Sequence, residues 1–385
     1  MGITISVFEE RIPLFGILHQ QLKTYIEMIK LIPQLPAYIL FRSTGYPHKL
    51  PLSLTLSLSF KCNSRCKTCN IYKKKTSELS LQEWRRVFES LGTSPFWVTI
   101  SGGEPFLRAD MPDVVCSLYD ICKPSIINIP TNSILFKRIP DAVKKIVNHC
   151  QKSQIVINLS IDGIGENHNE IRGVPNNYDK VLNTFSGLKK INAENLSIGF
   201  HTVISKFNVT RIPEIYEHLR SLHPDSYITE IAEERVELGT INTSITPGYE
   251  DYQKAVDFLA DKLKREDFNK VGRITRAFRI EYYQMVKKVL LEQRQIIPCY
   301  AGYASAQIAP DGDIWMCCIK ADPIGNLKDV DYDFGKLWFS EKSNQIRQSI
   351  KNKECFCPLA NASYTNMLHN IKSLRRVAWN LMKMN

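Results

Sequence analysis

Between residues 51 and 237, six strand-like segments alternate with amphipathic, helix-like segments. The strand candidates are Leu54–Phe60, Phe96–Ile100, Ser125–Ile129, Ile155–Ile161, Ile198–Val203 and Tyr227–Ile231. Such alternation is typical of repeated βα units whose strands form one parallel sheet. The pattern predicts an α/β fold, either a doubly wound sheet or a partial barrel. In both architectures, ligands bind at the carboxyl ends of the strands.

Three cysteines follow the first predicted strand with the spacing C-x-x-x-C-x-x-C: Cys62, Cys66 and Cys69. Three thiolates leave one iron of a four-iron cluster without a protein ligand, and an open metal position is where a small molecule binds. A zinc ribbon usually closes all four positions with two C-x-x-C pairs. The triad therefore predicts an open metal site and points to an enzyme.

Polar groups and glycines follow the next strands. The candidates are Gly102, Gly103 and Glu104 after the second strand, Asn132 after the third, Ser160 and Asp162 at the end of the fourth, and Arg172 shortly beyond. We expect the two glycines to let a ligand approach the backbone closely. A carboxylate, hydrogen-bonding groups and an arginine beside an open iron suit a ligand with an ammonium, a ribose and a carboxylate. S-adenosylmethionine (SAM) carries all three.

Over residues 51–235 the chain resembles the radical SAM superfamily, because the cysteine motif, Gly-Gly-Glu-Pro and Ser-Ile-Asp-Gly occur in the family's order. The resemblance implies a partial (β/α)6 barrel of the TIM type, with a [4Fe-4S] cluster on Cys62, Cys66 and Cys69. SAM would bind the open iron through its amino and carboxylate groups. Reductive cleavage, with an electron from a partner such as flavodoxin or ferredoxin, would release a 5′-deoxyadenosyl radical that takes a hydrogen atom from the substrate.

The resemblance also implies roles for the strand-end residues. Gly102, Gly103 and Glu104 resemble contacts to the methionine amine, and Asn132 belongs to the same set of cofactor contacts. Ser160 and Asp162 resemble ribose contacts, and Arg172 resembles a carboxylate partner. The residue before the third cysteine is commonly aromatic in the family and is Thr68 here. Tyr72 is the candidate to replace its adenine contact.

A second group of cysteines lies near the C-terminus. Cys299, Cys317, Cys355 and Cys357, with a hairpin signal at Pro310-Asp311-Gly312-Asp313, resemble the twitch or SPASM extension of radical SAM enzymes over residues 299–360. Two further clusters would need more than the five cysteines found here. We therefore expect a small α+β extension with one auxiliary [4Fe-4S] cluster. Cys318 as a ligand in place of one of the four, and a structural zinc on the same thiolates, are alternatives.

The remaining segments complete the predicted domain organisation: an N-terminal amphipathic helix and linker (1–50), the barrel (51–237), a helical linker (238–298), the cluster extension (299–360) and a basic amphipathic helix (361–385). We expect Pro33 and Pro36 to end the first helix. The terminal helices are expected to cap the catalytic domain. Shallow docking on an anionic membrane is the alternative.

Composition narrows the partners and the compartment. The formal charge of +11 is spread along 385 residues without a dense basic block, so a nucleic-acid partner is not expected. Eleven cysteines without a signal peptide argue against a disulfide framework and for a cytoplasmic protein. Peripheral contact with the inner face of the membrane is the alternative. Cys116, Cys122 and Cys150 lie on apolar, helix-like segments and are expected to pack in the core.

The sequence constrains the substrate least. The basic amphipathic termini favour a carbohydrate or lipid-linked small molecule. The resemblance to twitch enzymes, which include oxidations of small alcohols and sugars, implies oxidoreductase-type chemistry. A peptide-modifying enzyme is the alternative, made less favourable because residues 1–50 resemble a helix and linker rather than a leader-binding domain. A non-catalytic metal-binding scaffold is a further alternative. After the sixth strand, Glu233 or Glu234 could act as a base, although a solvated charge run is the favoured interpretation.

Overall fold

The computed structural model describes residues 31–265 and 270–384, and all six predicted strands are present in it. The strands are β1 (Ser53–Ser59), β2 (Trp97–Gly102), β3 (Ile126–Thr131), β4 (Gln154–Ser160), β5 (Leu196–Ile204), β6 (Ser226–Ile231), β7 (Ser305–Ile308), β8 (Asp313–Trp315) and β9 (Pro323–Asn326). The first six pair in parallel in chain order. This confirms the partial (β/α)6 barrel rather than a doubly wound sheet.

The C-terminal strands continue the same sheet at its other edge. The strand order is β6-β5-β4-β3-β2-β1-β7-β8-β9. Strand β7 pairs in parallel with β1, whereas β7–β8 and β8–β9 are antiparallel. The predicted hairpin at residues 310–313 is therefore present as the β7–β8 connection. The cluster extension is joined to the barrel through backbone pairing with the strand that leads into the cysteine triad.

Thirteen α-helices lie within the described residues. They are α1 (Leu35–Thr44), α2 (Leu81–Leu91), α3 (Met111–Cys122), α4 (Ile139–His149), α5 (Glu166–Arg172), α6 (Asn177–Lys189), α7 (Ile212–Ser221), α8 (Tyr249–Arg265), α9 (Lys270–Glu292), α10 (Phe334–Trp338), α11 (Glu341–Lys351), α12 (Ala360–Leu368) and α13 (Ile371–Met382). Helix α2 begins at a capping box, in which the Ser80 side chain accepts from the Glu83 N–H and the Glu83 carboxylate accepts from the Ser80 N–H.

The core lies between the sheet and the helices that cover it. Leu54, Leu56 and Leu58 of β1 are buried, as are Trp84 and Phe88 of α2. Burying each such side chain contributes about 1.5–3 kcal/mol relative to leaving it in water. Because β1 is buried along its length, the loop that follows it starts from a fixed point.

The N-terminal prediction needs a correction. The apolar stripe of residues 15–29 lies outside the described residues. Pro33 lies in a single 3₁₀ turn, Ile32–Gln34, after the helical Leu31, whereas Pro36 lies in the first turn of α1 and so begins a helix where we expected one to end. Proline fits the first turn of a helix because the N–H it lacks would have no partner there.

The C-terminal stripe is divided between two helices. Leu368 ends α12, and Asn370 caps α13 by accepting a hydrogen bond from the N–H of Ser373 at 3.0 Å. Helix α13 packs on α9, where Arg376 pairs with Glu281 at 3.0 Å. None of the helices in the described ranges is long and apolar enough to cross a membrane.

Candidate active site

A cavity of about 1530 Å³ runs along the inside of the barrel, and the carboxyl ends of the strands form one part of its wall. Among the residues predicted from the sequence, those lining it are Cys62, Cys66, Cys69, Gly102, Gly103, Glu104, Asn132, Ser160 and Arg172. Asp162 and Tyr72 are not among the lining residues. The parallel sheet therefore brings the cysteine triad and nearly all of its predicted companions together at one opening, as the chain order of their motifs indicates.

The cysteine loop is held by the end of helix α5. The N–H of Arg65 donates to the Arg172 carbonyl at 3.0 Å, and the N–H of Lys67 donates to the Ile171 carbonyl at 2.8 Å. Gly173 ends the helix with a φ of +62°, and a Cβ there would lie 2.3 Å from the Arg65 carbonyl oxygen. Only glycine permits both the backbone conformation and this close approach.

The two glycines after β2 approach protein backbone. At Gly102, whose φ is +117°, a Cβ would lie 2.1 Å from the Ser59 carbonyl oxygen. At Gly103 it would lie 2.2 Å from the Lys61 carbonyl oxygen. The N–H of Gly103 donates to the Ser59 carbonyl, and the N–H of Glu104 donates to the Lys61 carbonyl. The glycines thus anchor the chain immediately before Cys62, a role that the sequence alone did not indicate.

Glu104 is buried and hydrogen-bonded on both oxygens. It accepts from the Thr131 hydroxyl at 2.9 Å, from the Asn132 N–H at 2.7 Å and from the Phe106 N–H at 3.2 Å. Burial raises the pKa of Glu104 to about 7, although these hydrogen bonds act in the opposite direction. The carboxylate therefore joins the ends of β2 and β3 and lies at the cavity wall with its charge sensitive to pH near neutrality.

Asp162 contacts protein groups with both carboxylate oxygens. It accepts from Arg172 Nη1 at 3.0 Å and from the Val203 N–H at 2.9 Å, and its side chain is 1% exposed. Arg172 itself lines the cavity, and its Nε has no hydrogen-bond partner among the described residues. The geometry gives Asp162 the role of holding Arg172, while a direct ribose contact stays a prediction.

The three thiols fit the ligand set of a cluster. All three cysteines are free and partly buried, and backbone N–H groups of Ser64 and Ile71 point at the sulfurs of Cys62 and Cys69. Burial raises the pKa of the Cys69 thiol to about 12, so in the absence of metal this thiol is protonated. A metal centre would displace that proton. Asn132 Nδ2 lies 3.8 Å from Cys62 Sγ, which places an amide donor beside the same sulfur.

Tyr72 takes a different position from the one proposed for it. The Arg65 guanidinium lies over its ring at 4.3 Å, a cation–π contact in the cysteine loop. Because the ring is outside the cavity lining, the structure does not support Tyr72 as the adenine contact.

The distal cysteines form a second group. The thiol of Cys299 interacts electrostatically with those of Cys317 and Cys355, and the thiol of Cys357 interacts with those of Cys299 and Cys317. Among residues 31–265 and 270–384, no three His, Cys, Asp or Glu side chains have the geometry of a site for a single metal ion. A four-iron cluster does not require that geometry, because each thiolate binds its own iron.

Cys318 lies beside that group, because it packs in the same apolar cluster as Cys357. Its sulfur lies 3.7 Å from Arg235 Nη1, and the nearby charges are those of Glu237 and Glu233. Cys318 therefore stays the alternative to one of the predicted auxiliary ligands, Cys299, Cys317, Cys355 and Cys357.

The cavity also has lining residues that carried no recognisable motif. Arg279 of α9 and Tyr364 of α12 lie in its wall, although they follow β6 by many residues. Glu233 is another lining residue and is buried, whereas Glu234 is half-buried and accepts from the N–H groups of Asn242 and Ser244. The expected solvated charge run is therefore wrong for Glu233, and Glu234 binds backbone N–H groups with both oxygens.

Two family models match the chain. The radical SAM superfamily model matches residues 56–219, and the model of the iron–sulfur cluster-binding domain SPASM matches residues 299–358. The chain belongs to the radical SAM superfamily. Its C-terminal region is a SPASM domain. The cofactors of such a protein are [4Fe-4S] clusters and SAM, and the free cysteines and the cavity described above fit them.

Individual relatives match to different extents. Fe-coproporphyrin III synthase of Methanosarcina barkeri is 29% identical over 168 residues, which are 42% of this chain and 39% of that protein. The sporulation killing factor maturation protein SkfB of Bacillus subtilis is 23% identical over 332 residues, 80% of this chain and 69% of that protein. Crystal structures of Streptococcus suis SuiB with SAM and with its precursor peptide SuiA have TM-scores of 0.57 and 0.56 at 18% identity. They cover 78% of this chain and 68% and 67% of SuiB.

Proposed function

We propose that this radical SAM enzyme modifies a peptide. The observation that carries the proposal is the match to SkfB, a maturation protein, because it extends over 80% of the chain, whereas the match to Fe-coproporphyrin III synthase is limited to 42%. The structural likeness to SuiB supports a shared fold. These relatives favour a peptide over the carbohydrate or lipid-linked substrate that the amphipathic termini suggested.

The cavity supports the proposal in size and position. At about 1530 Å³, counted along the whole inside of the barrel, it is larger than most sites for a single small molecule, and its wall includes the cysteine triad, Glu233 and Tyr364. A cofactor at the triad therefore leaves space for a section of a second, larger molecule.

The chain's own residues have distinct proposed roles. Cys62, Cys66 and Cys69 would hold the SAM-binding cluster, and Cys299, Cys317, Cys355 and Cys357 would hold the auxiliary cluster. When bound, the first cluster and SAM supply one-electron cleavage of the sulfonium and a radical that takes a hydrogen atom from the substrate.

The cofactor contacts divide by charge. Glu104 would accept hydrogen bonds from the SAM ammonium, and Arg172, held by Asp162, would pair with its carboxylate. Ser160 would bind the ribose, and Asn132 would donate to the sulfur of Cys62. Gly102 and Gly103 would act indirectly, by fixing the backbone in front of the triad.

The test uses the anaerobically reconstituted protein, SAM, a reductant and any short peptide encoded beside its gene. We expect a mass change in the peptide that depends on SAM, on reduction and on the cysteine triad. Turnover of a neighbouring glycan or lipid precursor, with the peptide unchanged, would contradict the proposal and favour the small-molecule alternative.

A further inference from the structure

A buried ion pair follows β6 at the cavity wall. Arg235 Nη2 lies 2.7 Å from Glu233 Oε1, and the two side chains are 18% and 5% exposed. Both residues line the cavity that contains the cysteine triad. The pair is therefore inside the site and not on the outer surface.

The pairing is incomplete. Arginine and carboxylate side chains commonly pair through two parallel N–H···O bonds, which here would also join Nε to Oε2. Instead, Glu233 Oε2 and Arg235 Nε are both buried and have no hydrogen-bond partner among the residues that the structure describes. Buried donors and acceptors are rarely left without partners, because each has given up its hydrogen bonds to water.

The ion pair lies between the two groups of cysteines. Arg235 Nη1 is 3.7 Å from Cys318 Sγ and 4.0 Å from Glu237 Oε2. The N–H groups of Val236 and Glu237 donate to the carbonyls of Ile319 and Cys318. The segment after β6 is thereby fixed to the chain that carries Cys317, while its side chains face the cavity of the first triad.

One free acceptor beside one free donor is the complement of a residue in an extended peptide, whose own N–H and C=O point to the same side. We propose that Glu233 and Arg235 form a backbone clamp for the substrate peptide, in which Glu233 Oε2 accepts from a peptide N–H and Arg235 Nε–H donates to a peptide carbonyl. This inference rests on the proposed peptide substrate. The clamp holds the backbone of one peptide residue near the auxiliary cysteines and requires no particular side chain there.

The experiment measures peptide retention by the holoenzyme in the presence of SAM. The probe is a random-sequence library of short peptides, acetylated and amidated at their ends, with retained peptides quantified by mass spectrometry. We expect E233Q and R235K to retain about tenfold less peptide than the wild type, because each loses a hydrogen bond to a charged group. R235K keeps a cation beside Glu233 but has no equivalent of Nε–H. E234Q, at the neighbouring carboxylate that does not line the cavity, serves as the control and should retain as much as the wild type.

N-methylation of each amide in a retained peptide provides a second readout that a purely structural ion pair would not affect. We expect one methylated position to weaken binding to the wild type by about tenfold and to cause little further loss in E233Q. This readout needs only the wild type if E233Q proves unable to hold its clusters, and the absence of any sensitive position would then overturn the clamp.

The outcomes distinguish failure of the Glu233–Arg235 clamp from failure of the proposed peptide substrate. If the wild type retains peptides and E233Q and R235K retain them equally, the clamp is overturned and the peptide substrate stands. If the wild type retains no peptide, both are overturned.

Discussion

Gly173 shows how one backbone position can control the metal site. Its positive φ and its contact with the Arg65 carbonyl come together at the end of α5, directly behind the cysteine loop. Gly165, at the other end of the same helix, has a φ of +55° but open space around the position of a Cβ. A substitution at Gly165 therefore introduces backbone strain alone, whereas the same substitution at Gly173 introduces backbone strain and steric overlap.

We predict that G173A loses more stability and more iron than G165A. Both variants carry the strain of an alanine with positive φ, about 1–2 kcal/mol. Only G173A must also displace the backbone at Arg65, so we expect roughly a further 1–3 kcal/mol and poor cluster loading. Denaturant unfolding and iron analysis measure the two effects. Equal loading and equal stability of both variants would contradict this account of the loop.

Glu104 predicts a pH dependence of SAM binding. Burial raises the pKa of its carboxyl to about 7, so the group is charged above that pH and neutral below it. If it binds the SAM ammonium, affinity should fall as the pH decreases from about 8 to about 6, and E104Q should bind about tenfold more weakly at the higher pH with a flatter profile. Anaerobic equilibrium dialysis of cluster-loaded protein measures this. An unchanged profile in E104Q would remove Glu104 from the amine site.

At the residue scale, local motifs predicted the positions of the site residues better than they predicted the hydrogen-bond partners of those residues. Each cysteine, glycine and carboxylate follows its strand directly, so the parallel sheet alone placed most of them at one opening. The partners of Asp162 depend on where α5 returns Arg172 and on the neighbouring Val203 of β5. The incomplete pairing of Glu233 with Arg235 depends on side-chain rotamers, for which the pattern of charges carries no signal.

At the scale of elements, the two faces of α13 test whether it caps the barrel or docks on a membrane. Val377 is buried, whereas Trp379, Ile371 and Met382 are exposed beside basic residues. The helix packs on α9, where Asn380 Nδ2 donates to the Ala277 carbonyl. This packing agrees with the expected capping role and leaves membrane docking as the alternative.

We predict that V377D lowers the melting temperature and W379D does not. Burying an unpaired carboxylate at Val377 should cost about 3 kcal/mol or more, which is several degrees in a chain of this size. On the capping interpretation, wild type and W379D should also pellet equally with anionic liposomes. Stable W379D protein that pellets less than wild type would instead identify the exposed face as a membrane contact.

Element boundaries were predictable where periodicity and capping agreed. The capping box of Ser80 and Glu83 at the start of α2 is such a case, because its hydrogen bonds are local and its spacing is visible in the sequence. Pro36 was misinterpreted because proline both ends helices and opens them, and only the following turn distinguishes the two cases. The pairing of β7 with β1 joins residues about 250 positions apart, and short strands carry little information about such partners.

At the scale of the whole molecule, the account predicts two iron–sulfur clusters. The anaerobically reconstituted chain should hold about eight irons with matching sulfide, because each group of cysteines suits a four-iron cluster. Alanine at the triad, or at Cys299, Cys317, Cys355 and Cys357, should each remove about four. A total of about four irons together with zinc would contradict the auxiliary cluster and favour the structural zinc alternative.

The central claim is that the cysteine triad, and not the auxiliary group, is the site of SAM cleavage. The most direct measurement is formation of 5′-deoxyadenosine from SAM under reduction, in wild type, in the triple variant C62A, C66A, C69A and in the double variant C355A, C357A. We predict formation by the wild type and by the auxiliary variant, and none by the triad variant. Fully loaded wild type that forms no 5′-deoxyadenosine, or a triad variant that still forms it, would contradict the account.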